Sequence, residues 1–499
     1  MNTKDRKILL LNPPLTIKCE DYKAFGLFPP LGLAYLAGVL IEHGYEVEIR
    51  DLMAEGAPQP EKIEDGMIRL GPRQGEIEKL VRNFSPKIVG ISNTFTSFSS
   101  DAVWLARTIR ESLPEALVVM GGAHASMEPR AILAGGAVDV VVIGEGEFIF
   151  LELVEAVFGG HLEKARRIGG TIWAVEGEII DNGWQEPIAD LDSIPFPAYQ
   201  LLPMEHYIWQ KKANFATVMR RPVGHIITSR GCRYNCIFCS TTKYFKSFRP
   251  RSPENVVREI KLLIHDYGIR EMHFHDDSIM SDPKYVRDLC QAILKEGLDI
   301  CWQVSQGINS ALLDDDLLEL MHRSGMYRVG FPIESGSPEI LRFVRKKIQL
   351  DKVKNLIRKC NSLGIYCFGC FMIGFPEETK DQIEQTRDFI MDSGLDYAKI
   401  SITQPLAGSE LYEIYKTLGC CQGVNETGST YFHTSYDTVN FKAAELNEIR
   451  QKMLRSFAWQ RLKRILGWRG FARYIVPKVR SREHLLYFLK VSWLALRGC

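Results

Sequence analysis

The stretch Gly231-Cys-Arg-Tyr-Asn-Cys-Ile-Phe-Cys-Ser240 places three cysteines in one tight loop of this 499-residue chain. Cys232, Cys236 and Cys239 have the spacing Cys-x3-Cys-x2-Cys. A closed zinc site takes four ligands in tetrahedral geometry. Three close thiolates without an obvious fourth ligand suit a [4Fe–4S] cluster, because one iron can stay open to bind a substrate or cofactor. The alternative is a structural zinc loop that borrows a distant ligand.

Strands and helices alternate from this loop onward. A predicted strand at 226–228 delivers the cysteine loop, and five further strand and helix pairs follow it. Six such units predict a partial TIM-type barrel, in which chemistry gathers at the carboxyl ends of the strands. The cysteine loop lies at that end, together with the polar and glycine residues that follow other predicted strands: Asp276, Asp277, Gln306, Glu334, Ser335 and Gly374.

The first 160 residues show a second alternation of strands and helices. Short apolar runs predict strands at 8–11, 47–49, 88–91, 117–120 and 138–143. This order predicts a parallel, doubly wound sheet, whose ligands bind beyond the carboxyl ends of the strands. Small and polar residues follow the strands there: Asn12, Pro13, Ser92, Thr94, Gly121, Gly122, His124, Gly144 and Glu145. No Gly-x-Gly-x-x-Gly follows the first strand, which weighs against a dinucleotide.

The cysteine loop, with the aromatic Phe238 before its last cysteine, resembles the signature of the radical S-adenosylmethionine (SAM) superfamily. Residues 28–38 (FPPLGLAYLAG), 121–124 (GGAH) and 139–147 (DVVVIGEGE) resemble the cobalamin-binding domain attached to many of these enzymes. From Lys7 to about Gln460 the chain is similar to the cobalamin-dependent radical SAM enzymes, which include the class B methyltransferases. The resemblance implies three cofactors: a [4Fe–4S] cluster, SAM and cobalamin.

The resemblance also implies a mechanism. The cluster on the three cysteines would chelate SAM and cleave it to a 5′-deoxyadenosyl radical, which abstracts hydrogen from the substrate before methylcobalamin gives up its methyl group. The residues expected to contact SAM are Phe238, Gln306, Glu334, Ser335 and Gly374. Glu334 has the alternative role of an ion pair within the barrel. Asp276 and Asp277 either bind the substrate and act on it as catalytic groups, or orient neighbouring Arg and Lys side chains, or cap the next turn.

The N-terminal domain departs from a common cobalamin pattern. Many cobalamin proteins carry Asp-x-His-x-x-Gly after the first strand, and its His ligates cobalt, but residues 12–26 contain no His. The lower cobalt ligand is therefore expected to be missing or replaced. His124 either contacts the cofactor periphery or caps backbone, or it ligates cobalt. A vestigial domain that binds nothing is a further alternative.

The formal net charge of +1 hides a basic C-terminal tail. From Arg455 to Cys499, eleven Lys or Arg stand against the single acid Glu483, and Trp459, Trp468 and Trp493 are among the aromatics. Such a segment suits a membrane surface or an amphipathic substrate. The alternative is a helical cap that packs on the barrel and leaves a solvated basic face. No RNA-binding motif accompanies the tail, which argues against nucleic acid.

The bulk properties favour a cytoplasmic enzyme, with peripheral membrane contact through the tail as an addition. Twelve cysteines without an apparent signal peptide do not indicate a disulfide framework. No apolar run of about 18 residues predicts a membrane span. A cluster requires reducing conditions and a low-potential electron donor of the flavodoxin or ferredoxin type. Cys367 and Cys370, three apart in a predicted strand, face opposite sides, and Cys420 and Cys421 lack a spacing that supports an auxiliary cluster.

The predicted fold class is α/β, with four segments: an N-terminal Rossmann-like cobalamin-binding domain (1–160), a linker with a small hairpin (161–210), a partial (β/α)6 TIM-type radical SAM barrel (211–410) and a C-terminal helical domain (411–499). The first functional hypothesis is methylation of an unactivated carbon or a phosphinate centre of a small molecule. The second is a non-methylating radical reaction, such as oxidative cyclisation, rearrangement or coupling, on a lipid- or tetrapyrrole-like amphipathic substrate. The third is a non-catalytic metal-binding scaffold, against which the open three-cysteine loop argues.

Overall fold

The computed structural model of the chain describes residues 6–19, 22, 26–55, 60–63, 66–209, 218–420 and 434–497. The chain divides into two compact units, with the boundary after Tyr207. Each unit is built on its own large sheet. The predicted divisions at 160 and 410 are finer than this and stay predictions. The predicted boundary after 210 and the residue Cys421 lie outside the described residues.

The described residues of the first unit form ten strands: β1 (Lys7–Asn12), β2 (Leu15–Lys18), β3 (Glu46–Asp51), β4 (Glu61–Lys62), β5 (Met67–Leu70), β6 (Ile88–Ser92), β7 (Leu117–Gly121), β8 (Val140–Val142), β9 (Thr171–Val175) and β10 (Glu178–Asp181). Seven of them form one sheet in the order β10-β9-β8-β7-β6-β1-β3. The five strands from β8 to β3 are parallel, as predicted. The hairpin predicted in the linker supplies the last two strands, because β9 pairs antiparallel with β8 and with β10. β2, β5 and β4 form a small antiparallel sheet that the sequence did not predict.

Helices cover both faces of this sheet, which is why the runs predicted as strands are apolar throughout. Ile8, Leu9, Leu10 and Leu11 of β1 have no exposed surface. The helices of this part of the chain are α1 (Leu31–Glu42), α2 (Gln74–Phe84), α3 (Ser99–Ser112), α4 (Ala123–Met127), α5 (Pro129–Leu133), α6 (Glu147–Phe158), α7 (Leu162–Ala165) and α8 (Met204–Ile208).

In the second unit, the part of the chain that the structure describes forms eight strands: β11 (Val223–Ile226), β12 (Ser229–Arg230), β13 (Arg249–Pro250), β14 (Glu271–Phe274), β15 (Cys301–Val304), β16 (Met326–Glu334), β17 (Tyr366–Ile373) and β18 (Tyr397–Ile402). Six of them form a parallel sheet in the order β11-β14-β15-β16-β17-β18, which confirms the six-stranded partial barrel. The first strand was predicted too late, at 226–228. Residues 227–228 lie beyond β11, and the next two residues pair with β13 at the base of the cysteine loop.

The helices of the second unit alternate with these strands and then continue into the C-terminal segment. They are α9 (Thr241–Phe245), α10 (Pro253–Tyr267), α11 (Pro283–Lys295), α12 (Asp315–Arg323), α13 (Pro338–Phe343), α14 (Leu350–Leu363), α15 (Lys380–Asp392), α16 (Glu410–Thr417), α17 (Ala443–Leu466), α18 (Trp468–Gly470) and α19 (Arg482–Arg497).

Successive residues of β17 face opposite sides of the sheet. The Cys367 Sγ lies 4.0 Å from Asn361 Oδ1 of α14, and the Phe371 ring lies 6.1 Å from the Phe389 ring of α15. These side chains therefore face the outer helices. Cys370 faces the barrel interior, because side chains alternate along a strand. The predicted opposite orientation of Cys367 and Cys370 is confirmed.

The C-terminal helix α19 packs on the barrel. Its Tyr487 and Phe488 lie in one apolar cluster with Cys301, Tyr327 and Tyr366, which stand at the amino ends of three neighbouring strands. The cysteine loop follows the carboxyl end of β11, so α19 covers the opposite end of the sheet. Among the described residues, none of the helices combines the length and apolar character needed to cross a membrane.

Candidate active site

Backbone contacts fasten the cysteine loop to the carboxyl end of the barrel. Gly231 has a φ of +81°, and a Cβ there would lie 2.2 Å from the Ser247 carbonyl oxygen, so only glycine fits. The Gly231 N–H donates to Asp277 Oδ2 at 3.1 Å. The Arg233 N–H donates to Ser281 Oγ at 3.2 Å, and the Arg233 guanidinium donates to the Ser281 carbonyl at 2.9 Å. These contacts hold the first half of the loop in place.

The second half of the loop packs against the segment that begins at Gly374. Ile237 is buried in one apolar cluster with Phe375 and Tyr415, and Phe238 packs against that cluster. The Tyr415 hydroxyl donates to the Gly374 carbonyl at 2.9 Å. The structure thus brings together Phe238 and Gly374, two of the residues predicted to contact SAM.

The three thiols lie close enough to influence one another. The Cys239 N–H donates to the Cys236 carbonyl at 3.1 Å, which closes a turn between two of them. Burial raises the pKa of Cys236 to about 11, and the neighbouring Cys239 and Cys232 add to the shift. Burial also raises the pKa of Cys239, whose Sγ lies 3.2 Å from Thr241 Oγ1. A bound metal reverses this balance, because its positive charge stabilises the thiolates.

The donor set fits an iron–sulfur cluster. In the described part of the chain, no three His, Cys, Asp or Glu side chains converge as the ligands of one metal ion do. A cubane cluster requires another arrangement, because each thiolate binds a different iron. Cys232, Cys236 and Cys239 are all partly exposed on one anchored loop. Thiols placed in this way can each bind one iron and leave the fourth iron to another ligand.

The partner of Glu334 in a buried ion pair beside the thiols was not predicted from the sequence. Lys346 Nζ donates to Glu334 Oε1 at 2.9 Å, and the two side chains are 9% and 8% exposed. Burial alone would lower the pKa of Lys346, but Glu334 and the thiols of Cys236 and Cys232 raise it above its usual value. The ammonium therefore stays charged next to the cysteine loop. No motif marks Lys346, because α13 separates it from Glu334 in the sequence.

Glu334 itself ends β16 in an unusual conformation. Its φ is +70°, in the left-handed region that favours glycine. The pairing of β16 with β17 shifts register between Pro332 and Glu334. A non-glycine residue held in this region costs about 1–3 kcal/mol and persists at functional sites. The predicted alternative for Glu334, an ion pair within the barrel, is present, and its contact with SAM stays a prediction.

Asp276 and Asp277 brace the backbone that carries the loop. Asp276 is completely buried and accepts from the Thr228 N–H at 3.1 Å, the Thr228 hydroxyl at 2.7 Å and the Ser229 hydroxyl at 2.5 Å. Burial raises the pKa of Asp276 to about 6, and it also raises the pKa of Asp277. These contacts favour a positioning role for Asp276 over the predicted catalytic role, because Asp276 has no exposed surface to offer a substrate. Asp277 is exposed, and its catalytic role stays a prediction.

Two other predicted SAM contacts lie apart from the loop contacts described so far. Ser335 is completely buried, and its hydroxyl lies 3.0 Å from Thr386 Oγ1 of α15. Gln306 is exposed beyond the end of β15. The Ser335 hydroxyl therefore serves the packing of β16 on α15, and a SAM contact of either side chain stays a prediction.

Glu378 shapes the segment after Gly374 and was also missed. It is 1% exposed, and its Oε2 accepts from the Gly374 N–H at 2.6 Å and from the Phe375 N–H at 3.2 Å. Burial raises the pKa of Glu378 to about 8, against the opposing effect of these two hydrogen bonds. The carboxyl group is therefore mostly protonated at neutral pH, and it folds the segment back on itself.

In the first unit, the residues after β6 and β7 form one cradle. The Asn93 N–H donates to the Gly121 carbonyl at 2.7 Å. Gly122 has a φ of +115°, and a Cβ there would lie 2.7 Å from the Asn93 carbonyl oxygen. The hydroxyls of Ser92 and Thr94 lie 3.3 Å apart at the same edge. The glycines thus let the two loops approach closely, and small polar groups line the edge as predicted.

His124 lies in α4, directly after the glycines at this edge. Its Nδ1 lies 3.1 Å from Thr96 Oγ1. Burial lowers the pKa of His124, so the ring is neutral at pH 7. A histidine in the first turn of α4 that is held by a threonine favours the peripheral role predicted for it over cobalt ligation.

The remaining predicted cobalamin contacts follow β1 and β8. Asn12 Nδ2 donates to Asp51 Oδ1 at 2.8 Å, and Pro13 is partly exposed behind it. The Gly144 N–H donates to Ser126 Oγ at 3.0 Å, and Glu145 Oε2 accepts from the Ile188 N–H at 2.7 Å. Asn12 and Glu145 are thus engaged with protein groups, so their side chains shape the edge of the sheet.

Two large exposed rings at this edge were not predicted. Phe95 follows β6 and is 59% exposed, and Trp184 is 41% exposed. A Cβ added to Gly144 would lie 3.5 Å from the Trp184 ring, so this ring lies over the loop after β8. Exposed aromatic surface beside a glycine cradle suits a large, flat and largely apolar ligand. The residues therefore fit the corrin ring of cobalamin.

Comparison with known proteins matches two parts of the chain to known families. Residues 226–390 match the family model of the Radical SAM superfamily, and residues 22–154 match that of the B12 binding domain. The chain is 34% identical over 437 residues to cytidylyl-2-hydroxyethylphosphonate methyltransferase of Streptomyces wedmorensis, with 81% of each chain covered. The chain belongs to the cobalamin-dependent radical SAM enzymes. An uncharacterized methyltransferase of Pyrococcus horikoshii is 33% identical over 500 residues, which cover 99% of this radical SAM enzyme and 98% of that protein.

Solved structures share the fold of this radical SAM enzyme. OxsB, with aqua-cobalamin and SAM bound, has a TM-score of 0.69 at 16% identity, covering 98% of this chain and 72% of that chain. TsrM from Kitasatospora setae, with cobalamin and a [4Fe–4S] cluster bound, has a TM-score of 0.66 at 18% identity, covering 96% of this chain and 92% of that chain. The predicted α/β class, with a cobalamin-binding domain, a radical SAM domain and a helical C-terminal region, is confirmed. The enzyme's cofactors are a [4Fe–4S] cluster, SAM and cobalamin.

Proposed function

We propose that this radical SAM enzyme is a methyltransferase that acts on an unactivated carbon or a phosphinate centre of a small molecule. The observation that carries the proposal is the arrangement at the barrel edge, where the cysteine loop, the Glu334–Lys346 pair and Gly374 lie together. The first unit adds a cradle suited to cobalamin. The methyltransferase of Streptomyces wedmorensis, at 34% identity, supports methyl transfer as the reaction.

The proposed roles follow from the contacts of each side chain. Cys232, Cys236 and Cys239 would hold the cluster, and Lys346 and Glu334 would bind the polar groups of SAM. When bound, the three cofactors supply reductive cleavage of SAM and a transferable methyl group. The apolar cluster around Phe238 would exclude water from one side of the site. Because Lys346 is both buried and charged, it is suited to a carboxylate.

Methyl-labelled SAM tests the proposal on anaerobically reconstituted, reduced enzyme. We expect release of 5′-deoxyadenosine and label in the product when acceptors from neighbouring genes are supplied. Cys236→Ala should abolish both signals and lower the iron content. Cys19→Ser is the matched control, because Cys19 is an exposed cysteine of the other unit. A product without label would show that a non-methylating radical reaction takes the place of methyl transfer.

We further propose that the enzyme works in a reducing compartment, the cytoplasm, with a flavodoxin- or ferredoxin-type electron donor. The support is chemical, because a [4Fe–4S] cluster with an open iron must be kept reduced to act on SAM. Replacing an artificial reductant with purified flavodoxin and its reductase should sustain 5′-deoxyadenosine release. If 5′-deoxyadenosine is released with the artificial reductant but not with flavodoxin and its reductase, this choice of donor is contradicted.

We also propose that the C-terminal segment contacts an anionic membrane surface. Trp459, Leu466 and Trp468 are 66%, 74% and 82% exposed. Arg455 and Lys463 share a helix face with Trp459 and Leu466, because residues three or four apart are neighbours on a helix. Exposed aromatic groups next to cations are typical of an interfacial helix.

Helix α19 carries further exposed apolar side chains. Leu485, Leu486 and Leu489 are exposed on the side away from the barrel. The acid of the tail, Glu483, is engaged by the Arg220 guanidinium at 2.9 Å. Cations without a competing carboxylate favour anionic lipid over neutral lipid.

Sedimentation with phosphatidylcholine vesicles, with and without phosphatidylserine, measures this contact. We expect binding only to the anionic vesicles, weakened by salt and by the double variant Arg455→Gln, Lys463→Gln. Lys284→Gln is the control, since Lys284 is an exposed lysine of α11, outside the C-terminal segment. Equal binding to both vesicle types, or self-association in place of binding, would contradict the proposal.

A further inference from the structure

Lys399 and Ser401 lie on the interior face of β18, the edge strand of the six-stranded sheet. Register pairs Cys370 with Lys399 and Met372 with Ser401. Cys370 faces the barrel interior, because the residues on either side of it face the outer helices. Paired residues of adjacent parallel strands point to the same side. Lys399 and Ser401 therefore point into the barrel, on the strand where the sheet is open.

Burial along β18 supports this orientation. Ala398, Ile400 and Ile402 are buried on the face that carries the outer helices, whereas Lys399 and Ser401 are half-buried. Within the described ranges, neither of these two polar side chains makes a hydrogen bond or an ion pair. A lysine and a hydroxyl thus face a partly open interior with their donors available.

Two other charged groups near this face are already engaged. Glu334, the carboxylate that ends β16, is held by Lys346 at 2.9 Å. The Arg328 guanidinium donates to Gln303 Oε1 at 2.9 Å and lies 4.3 Å from the centre of the Phe368 ring. Lys399 is left without a carboxylate among the described residues.

The charges that act on Cys370 are mostly positive. Burial raises the pKa of Cys370, and the charges of Lys399, Arg328 and Lys346 oppose that shift, whereas Glu334 adds to it. Three cations and one carboxylate therefore lie within electrostatic reach of the same thiol. An interior with this balance attracts an anion.

We infer that Lys399 and Ser401 bind an oxyanion of the methyl acceptor, in the form of a phosphonate, phosphate or carboxylate group. The inference rests on the proposed methyl transfer and specifies its acceptor as anionic. The two residues are separated by roughly 6.5 Å along the strand, so an ammonium and a hydroxyl can donate to one oxyanion. Met372, beside Ser401, packs against the same apolar cluster as Phe238 of the cysteine loop. A methyl acceptor anchored at Lys399 would therefore extend toward the cysteine loop that holds the [4Fe–4S] cluster.

Lysine labelling of the full, anaerobically reconstituted enzyme tests this site without turnover. We expect methylphosphonate or inorganic phosphate to lower the labelling of Lys399 at least several-fold, as measured by mass spectrometry of its peptide. Lys463, exposed on α17, should label equally in all samples. Acetate separates the two anion classes, because protection by acetate alone identifies a carboxylate site. Protection by SAM alone, or by none of the anions, would overturn the inference.

Calorimetric titration with methylphosphonate provides the second measurement. Lys399→Met should weaken binding at least about tenfold, the loss expected for one charge-assisted hydrogen bond. Lys399→Arg should retain most of the affinity, and Ser401→Ala should have an intermediate one. Unchanged affinity in Lys399→Met would contradict the site. Labelling of the wild type does not depend on any variant folding, and neither assay depends on methyl transfer, so the two proposals fail separately.

Discussion

At the scale of single residues, Lys346 connects the cysteine loop with the end of β16. It is buried, paired with Glu334 at 2.9 Å, and close enough to Cys236 and Cys232 for their charges to affect its pKa. A buried lysine with one carboxylate partner keeps further donors for a ligand. The pair therefore supplies both a donor and an acceptor at the place proposed for SAM.

Lys346→Met should lower 5′-deoxyadenosine release by about 10- to 100-fold, the range set by a hydrogen bond to a charged group. Loss of the ammonium also leaves Glu334 buried without its partner. Lys346→Arg is the control that keeps the charge. The comparison is made at equal iron content, and unchanged release in Lys346→Met would show that the pair is structural only.

Glu378 gives the enzyme a pH dependence of stability. Burial raises the pKa of Glu378 from 4.5 to about 8, so the folded protein keeps a proton that the unfolded chain loses. The free energy of unfolding should therefore fall as pH rises from about 4.5 to about 8, and this contribution should be constant at higher pH. Urea denaturation of the wild type and of Glu378→Gln isolates the effect. Parallel pH profiles for the two proteins would rule it out.

At the scale of elements, α19 stabilises the barrel through one inserted ring. Tyr487 is completely buried and packs edge-on against Tyr327 and Tyr366, with ring centres 5.3 and 4.6 Å away. Tyr487→Ala should lower the free energy of unfolding by about 3–5 kcal/mol, because it leaves a large cavity. Thermal or urea denaturation measures the loss.

Tyr487→Phe is the matched control for this element. The Tyr487 hydroxyl is buried and has no hydrogen-bond partner among the described residues. Its removal should leave the stability unchanged or slightly higher, because a buried unpaired hydroxyl is unfavourable. A large loss in Tyr487→Phe would show that the hydroxyl has a partner that matters.

At the scale of the whole molecule, Lys478 ties the C-terminal segment to distant parts of the second unit. Its Nζ donates to Asn361 Oδ1 of α14 at 2.6 Å and also to the Asp396 carboxylate. Asp396 Oδ2 accepts from the Cys367 N–H at 2.9 Å as well. Lys478 is 1% exposed, so this ion pair is completely removed from water.

Lys478→Met should destabilise the enzyme by about 3–5 kcal/mol, because it leaves the Asp396 charge buried and unpaired. The double variant Lys478→Met, Asp396→Asn should recover much of this loss, since both charges are then gone. Denaturation of the single and double variants gives the coupling energy. Additive losses would show that the two groups do not interact.

Local patterns were enough to predict much of both sheets. Continuous apolar runs marked the parallel strands, and the six strands of the barrel and the five parallel strands of the first unit are all present. The errors concern strands whose extent depends on pairing with distant segments of the chain. β2, β4 and β5 are short, and the barrel's first strand was placed three residues too late. The strand-like residue pattern continues beyond the end of β11, but the pairing of β11 with β14 ends at Ile226.

The sequence by itself determined the chemistry of the cysteine loop, because the spacing of Cys232, Cys236 and Cys239 lies within ten residues of chain. It also determined the two alternations of strands and helices. The tertiary structure alone decided that Lys346 lies beside these thiols, that Asp276 is buried and that Lys399 faces the barrel interior. These placements depend on which distant segments of the chain meet across the sheet. Burial and ion pairing, which shift a pKa or leave a charge without a partner, arise only when those segments come together.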